Sequence, residues 1–209
     1  MHAFRRTLAG MAIVLALGAP GHAAESPRQV IQALTTAALE ILGAKDLSAA
    51  DKRGRLQTLV YRYVDFDTLS RLVLAQSWPR FTTAQQQEFI NEFKAHLALT
   101  YGKSIENYKN ERVEVQSDRE EARGDWTVKS MILRGGPDDI AVDYRLRKNG
   151  QGDWKIIDFI IEGVSLVVNY RSQFQSMLGN GSPESLLVTL RDKNARGETL
   201  KAPGARPVR

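Results

Sequence analysis

The sequence predicts an α+β domain in which four helical segments precede a four-stranded antiparallel meander and two helices follow it. Three observations carry this reading. Apolar residues recur at helical spacing from Val30 onward, the period changes to alternation between Arg112 and Ile161, and only short turns separate the alternating runs. Short connections leave antiparallel neighbours as the pairing within reach.

Ser26 and Pro27 form a cap with proline at the first helical position, and Val30, Leu34, Ala37, Ala38 and Ile41 make one face of helix one before Gly43 closes it. Ser48 with Asp51 opens helix two, bearing Leu56, Leu59, Val60 and Tyr63. Asp65 caps a short third helix with Phe66, Leu69, Leu72 and Val73, which Trp78-Pro79 breaks. Thr82 or Thr83 caps the longest helix, where Phe89, Phe93, Leu97, Tyr101, Ile105 and Tyr108 form a single apolar stripe about 30 Å long. Gln86, Gln87, Glu92, Lys94, Lys103 and Asn107 read as its solvated face, and His96 beside the stripe reads as a structural or exposed histidine.

The strands are expected at residues 112–116, 126–133, 140–147 and 154–161, with Asn149-Gly150 in the last turn. Alternation puts Trp126, Val128, Ser130 and Ile132 on one face of strand two, Ile140, Val142, Tyr144 and Leu146 on one face of strand three, and Trp154, Ile156, Asp158 and Ile160 on one face of strand four. Strand four is apolar on both sides, so both need cover. Ser165 caps a fifth helix with Leu166, Val167, Tyr170, Phe174, Met177 and Leu178, and Ser182-Pro183 opens a sixth through Leu186, Leu187 and Leu190.

The net charge of +5 invites a nucleic-acid reading, but its distribution does not support one. Two basic residues precede residue 24 and six lie past Leu190, which leaves 21 basic and 22 acidic side chains over residues 24–190. Arg5 and Arg6 stand before an apolar run from Leu8 to Ala19, then Pro20 and the small-residue site Gly21-His22-Ala23. That order reads as a secretory signal peptide over residues 1–23, cleaved near Ala23, and about twelve apolar residues are too few to span a bilayer. The domain is then expected over residues 24–194, with a basic flexible tail over residues 195–209. There is no cysteine, hence no disulfide framework and no lipid-attachment cysteine. Cleavage leaves His96 as the one histidine, which disfavours histidine metal sites and Ser-His-Asp chemistry, and no GxxxxGK, GxSxG or HExxH motif occurs.

Certain residues carry a resemblance. The stretch Asp65-Phe66-Asp67 through Leu72-Val73-Leu74, then Trp78, Gln85, Phe89, Phe93, Leu97 and Tyr101, precedes a more specific block: Trp154-Lys155-Ile156-Ile157-Asp158, Ile161-Glu162-Gly163-Val164-Ser165, Asn169-Tyr170-Arg171 and Phe174. Together they resemble the MlaC family, also called the toluene-tolerance auxiliary family. The resemblance implies a helical layer packed on a twisted four-stranded sheet enclosing an apolar lipid cavity. It also implies a monomeric periplasmic phospholipid carrier that needs no cofactor, metal or catalytic residue and binds no nucleic acid. Its implied partners are an outer-membrane lipoprotein–porin complex and an inner-membrane ABC transporter with a periplasmic lipid-binding hexamer, the system maintaining outer-membrane lipid asymmetry.

Under that reading, lipid contact falls to the long helix through Phe93, Leu97, Tyr101, Ile105 and Tyr108, to a sheet face with Val128, Ile132, Val142, Tyr144 and Leu146, and to Val164 and Val167 beside the turn into helix five. Core packing is an equally open role for each, and alternation does not select which sheet face meets the cavity. Asp158 or Glu162 is expected to pair with Arg171 and pin strand four to helix five, and Arg71 and Arg80 are candidates for a phosphate or an acidic surface. Tyr61, Phe66, Trp78 and Phe81, around the breaks between helices two and four, mark segments able to shift and widen a cavity. Two other functions stay open: a carrier of hopanoid or another polycyclic lipid, and a small isomerase-like enzyme with Asp158 as base and Tyr144 as hydrogen-bond donor.

Overall fold

Each helix begins where a short polar side chain can satisfy its first free N–H groups. In the computed structural model, which describes residues 25–102 and 108–201, Ser26 opens α1 (Pro27–Gly43) as a capping box with Gln29. Ser48 caps α2 (Ala49–Tyr63), Asp65 caps α3 (Phe66–Leu74), Ser165 caps α5 (Leu166–Gly179) and Ser182 caps α6 (Pro183–Ala195). A 3-10 turn over Ala75–Arg80 follows α3 at the Trp78-Pro79 break and leads to α4 (Thr83–Gly102). The expected leader over residues 1–23 and the end of the chain from residue 202 lie outside the described residues.

The sheet has five strands in the order β1 (Arg112–Glu120), β2 (Trp126–Leu133), β3 (Ile140–Lys148), β4 (Trp154–Ile161) and β5 (Val164–Ser165), each antiparallel to its neighbour. The fold is α+β as expected, with one strand more than the four read from alternation. Glu162 and Gly163 both take positive φ, 52° and 77°, and this two-residue turn folds Val164 and Ser165 back against Ile161 and Ile160. A two-residue strand leaves no alternation to detect. β1 also runs four residues past the expected end, because a bulge between Val115 and Ser117 lets pairing resume beyond it.

A second bulge corrects the face assignment of β4. Val142 pairs with Ile161 and Tyr144 with Phe159, but Leu146 pairs with Ile156, which leaves Ile157 as the extra residue. Trp154 and Ile156 therefore share a face with Phe159 and Ile161, and Asp158 points the other way, opposite Arg145. One sheet face thus carries Trp126, Val128, Ile132, Val142, Tyr144, Leu146, Ile156 and Phe159, and packs toward the helices.

The helical layer is centred on an aromatic cluster. Phe89 and Phe93 of α4 meet Phe174 at 5.4 and 5.6 Å between ring centroids, and Phe93 meets Tyr170 at 5.1 Å, all four being fully buried. Arg171 does not pair with Asp158 or Glu162 as expected. Its guanidinium donates to the Leu72 carbonyl at 2.9 and 2.6 Å and so ties α5 to α3. Glu162 instead accepts the Ala141 N–H at 2.7 Å. Arg80 donates to the carbonyls of Leu178 and Gly181, and Arg71 lies over the Trp78 ring, so both act within the fold.

The segment after α6 is also held, in contrast to the flexible tail expected from residue 195. His96, fully buried on α4, hydrogen-bonds Asn194 through Nδ1 at 3.0 Å, and its Nε2 accepts the Leu200 N–H at 3.0 Å. Leu200 is buried, and Gln173 holds Lys201 by two further bonds. Composition marks this stretch as polar and basic, but one leucine and the histidine acceptor are enough to anchor it through Lys201.

Candidate functional site

A cavity of about 750 Å³ opens between the sheet and helices α2, α3 and α4. Its sheet wall is Val142 and Tyr144 of β3 with Phe159 and Ile161 of β4, placed on one face by the register and the Ile157 bulge. Tyr144 and Phe159 meet edge to face at 5.7 Å. α2 contributes Leu56, Val60 and Tyr61, the α2–α3 connection Val64, and α3 Phe66 and Leu69. α4 contributes Lys94, Ala95, Leu97, Ala98, Leu99, Tyr101 and Gly102. The small side chains at 95, 98 and 102 leave the space that a helix of uniformly large residues would fill.

The structure brings four of the expected contact residues to this cavity: Leu97, Tyr101, Val142 and Tyr144. Phe93, Val128 and Leu146 are fully buried in the core instead, and Val167 is buried at the start of α5, where its N–H donates to Asp158 at 3.0 Å. Ile132 packs half-buried against the core, Val164 is 44% exposed on β5, and Tyr108 stands outside α4 and off the cavity wall. Ile105 lies outside the described residues. The apolar stripe of α4 is therefore divided, its first half packing into the aromatic cluster and its second half walling the cavity.

Polar groups in the wall are few and specific. The Tyr101 hydroxyl is buried with no hydrogen-bond partner among the described residues, and burial, with Tyr170 nearby, raises its pKa so that it stays protonated. Burial likewise raises Tyr144, against a hydrogen bond to Ser130. Arg53 and Gln57 lie at the α2 side and Asn194 at the α6 side. Lys94, expected on the solvated face of α4, is half-buried with its ammonium 5.2 Å from the Tyr61 ring centre and 5.1 Å from that of Phe66.

The register separates the pair considered for proton chemistry. Tyr144 faces the cavity, whereas Asp158 lies on the opposite sheet face, 3.8 Å from Arg145, with its carboxylate accepting from Ser165 Oγ at 2.6 Å and from the Val167 N–H. Burial is the main cause of its raised pKa, opposed by those hydrogen bonds. Asp158 caps α5 from the neighbouring strand and does not act on the cavity.

The family model described as MlaC protein matches residues 32–192, most of the chain and every element that walls the cavity. The chain belongs to the MlaC family. Among curated proteins it is 28% identical over 171 residues to the toluene tolerance protein ttg2D of Pseudomonas putida, covering 77% of each chain. It is 21% identical over 131 residues, 61% of each chain, to the intermembrane phospholipid transport system binding protein MlaC of Haemophilus influenzae. Among solved structures, the phospholipid-binding protein of Ralstonia solanacearum, determined in complex with a phospholipid, superposes with a TM-score of 0.68 at 26% identity, over 81% of this chain and 97% of that one. The matched range includes the Asp158 cap, the Glu162-Gly163 turn and the Arg171 tie, none of which lines the cavity.

Proposed function

We propose that this chain is a periplasmic phospholipid carrier, moving lipid between an outer-membrane complex and an inner-membrane ABC transporter and so maintaining outer-membrane lipid asymmetry. The observation that carries the reading is the apolar cavity between the sheet and α2–α4, in a chain of the MlaC family whose structural neighbour from Ralstonia solanacearum was solved with a phospholipid. Its volume lies within the range of about 300–1,000 Å³ usual for small-molecule sites. Among the described residues no helix is long and apolar enough to cross a membrane, and the Arg5-Arg6 and Leu8–Ala19 pattern favours export.

The physics of the cargo fits a carrier. An acyl chain of about 15 methylenes is worth roughly 12 kcal/mol of transfer out of water, at about 0.8 kcal/mol per methylene. Chains in transit must stay covered, release into water is very slow, and delivery requires docking on a membrane complex that offers an apolar route. Val142, Tyr144, Phe159, Ile161, Leu97 and Leu69 are the walls that would replace the membrane interior. No bond is made or broken, so the carrier needs no catalytic residue.

The test is uptake from vesicles. Detergent-free protein is incubated with phosphatidylethanolamine–phosphatidylglycerol liposomes, separated by flotation, and extracted. About one diacyl phospholipid per protein is expected, and protein that stays lipid-free after long incubation would refute the carrier.

A further inference from the structure

Resting on that reading, we propose that Lys94 is the phosphate-recognition residue, fixing the phosphodiester of a bound lipid at the boundary between chains and head group. Lys94 lines two adjoining spaces. One is the apolar cavity, and the other is a smaller pocket of about 420 Å³ lined by Arg62, Asp65, Asp67, Asn149, Gln151 and Lys155. Tyr61, Val64 and Phe66 are the other residues shared by both, so this short wall is where an apolar compartment becomes a polar one. A diacyl phospholipid has the same order, with its phosphate at the junction.

The lysine is set up for an anion. Its ammonium carries three donors, yet among the described residues it has no hydrogen bond and no ion pair, only the faces of Tyr61 and Phe66 at 5.2 and 5.1 Å. Those rings meet edge to face at 5.3 Å and hold the charge at the wall. Of the neighbouring charges, Lys155 donates to the Arg62 carbonyl at 3.1 Å and Asp65 is committed to Thr68 by two bonds, whereas among the described residues the Arg62 guanidinium has only the Tyr63 ring, at 5.9 Å, and exposed Asp67 has no side-chain partner. A phosphodiester oxygen placed at this wall would accept a charge-assisted hydrogen bond from the ammonium. Sequence periodicity hides this residue, since position 94 stands one step off the large apolar stripe.

The test compares two lipids with identical chains, dioleoyl phosphatidylglycerol and dioleoylglycerol, bound by wild type, Lys94→Met and Lys94→Arg. Wild type should prefer the phosphodiester by about tenfold or more, Lys94→Met should erase that preference, and Lys94→Arg should keep it. The ratio is the readout because damage to the fold lowers both lipids together. A Lys94→Met protein that retains the full preference, or a wild type without one, overturns the assignment. Displacement of the phospholipid by inorganic phosphate alone would also overturn it, by showing a site for free phosphate. Wild type that binds neither lipid refutes the carrier reading itself, an outcome distinct from the loss of preference alone.

Discussion

Tyr144 and Phe159 face each other across β3 and β4 at 5.7 Å and wall the cavity together, although strict alternation along β4 would put Phe159 on the face opposite Ile156. The Ile157 bulge makes this possible, because it keeps Ile156 on the core face while turning Asp158 out to cap α5.

If the space opposite those rings is the lipid site, filling it should separate binding from stability. Ala98 lies on α4 in the cavity wall. Ala98→Phe is expected to leave the lipid-free protein as stable as wild type or up to about 1 kcal/mol more so. Phospholipid uptake should fall by about tenfold or more. Urea unfolding and vesicle flotation check the two halves, and a well-folded variant that loads normally would speak against this site.

The two halves of the α4 stripe should behave differently. Phe93 is enclosed by Phe89, Tyr170 and Phe174, so Phe93→Ala is expected to cost about 3–5 kcal/mol. Leu97 already borders open volume, and Leu97→Ala should cost about 1–2 kcal/mol while shortening lipid retention. Equal losses in a denaturation series would mean that the cavity is packed core.

Asp158 should prove structural. Asp158→Ala removes the acceptor of the Val167 N–H and of Ser165 Oγ at the start of α5, with an expected loss of about 2 kcal/mol. Asp158→Asn keeps one carbonyl oxygen and should lose about half as much. Thermal unfolding of both variants checks the order, and an equal cost for the two would contradict the capping role.

The His96 clip should make stability depend on pH. Nε2 accepts the Leu200 N–H only when unprotonated, and burial is the main cause of its lowered pKa, opposed by the Asn194 bond. The unfolded chain therefore binds a proton first, and stability falls as pH drops below about 6.5 toward the folded value. Asp158, with its raised pKa, contributes in the opposite sense at lower pH, but does so equally in a His96→Gln protein. The difference in Tm between wild type and His96→Gln should shrink from pH 7.5 to pH 5.5. A constant difference would mean that His96 does not titrate in this range.

Much of the fold was legible because its signals are local. Ser26, Ser48, Asp65, Ser165 and Ser182 are caps readable from one side chain and its neighbours, and alternation in β2 and β3 reports their faces directly. The bulge at Ile157 is invisible in the run Ile156–Ile161, five apolar residues and one aspartate, and it reverses the assignment of Asp158. The cavity itself was only half legible. Periodicity locates bulk, whereas a cavity is made by missing bulk, here at Ala95, Ala98 and Gly102, and by α2, whose single buried residue is Leu56. Lys94 was misread for a related reason: a charged residue one step off a stripe looks solvated until Tyr61 and Phe66 are placed beneath it.

The most direct test of the carrier is native mass spectrometry of the protein taken from a periplasmic fraction without detergent, followed by organic extraction of what it holds. One diacyl phospholipid per protein at near-complete occupancy is expected, with the Ala98→Phe protein largely lipid-free. A hopanoid mass would contradict the phospholipid assignment, and a wild-type protein that arrives empty and stays empty with liposomes would contradict the carrier altogether.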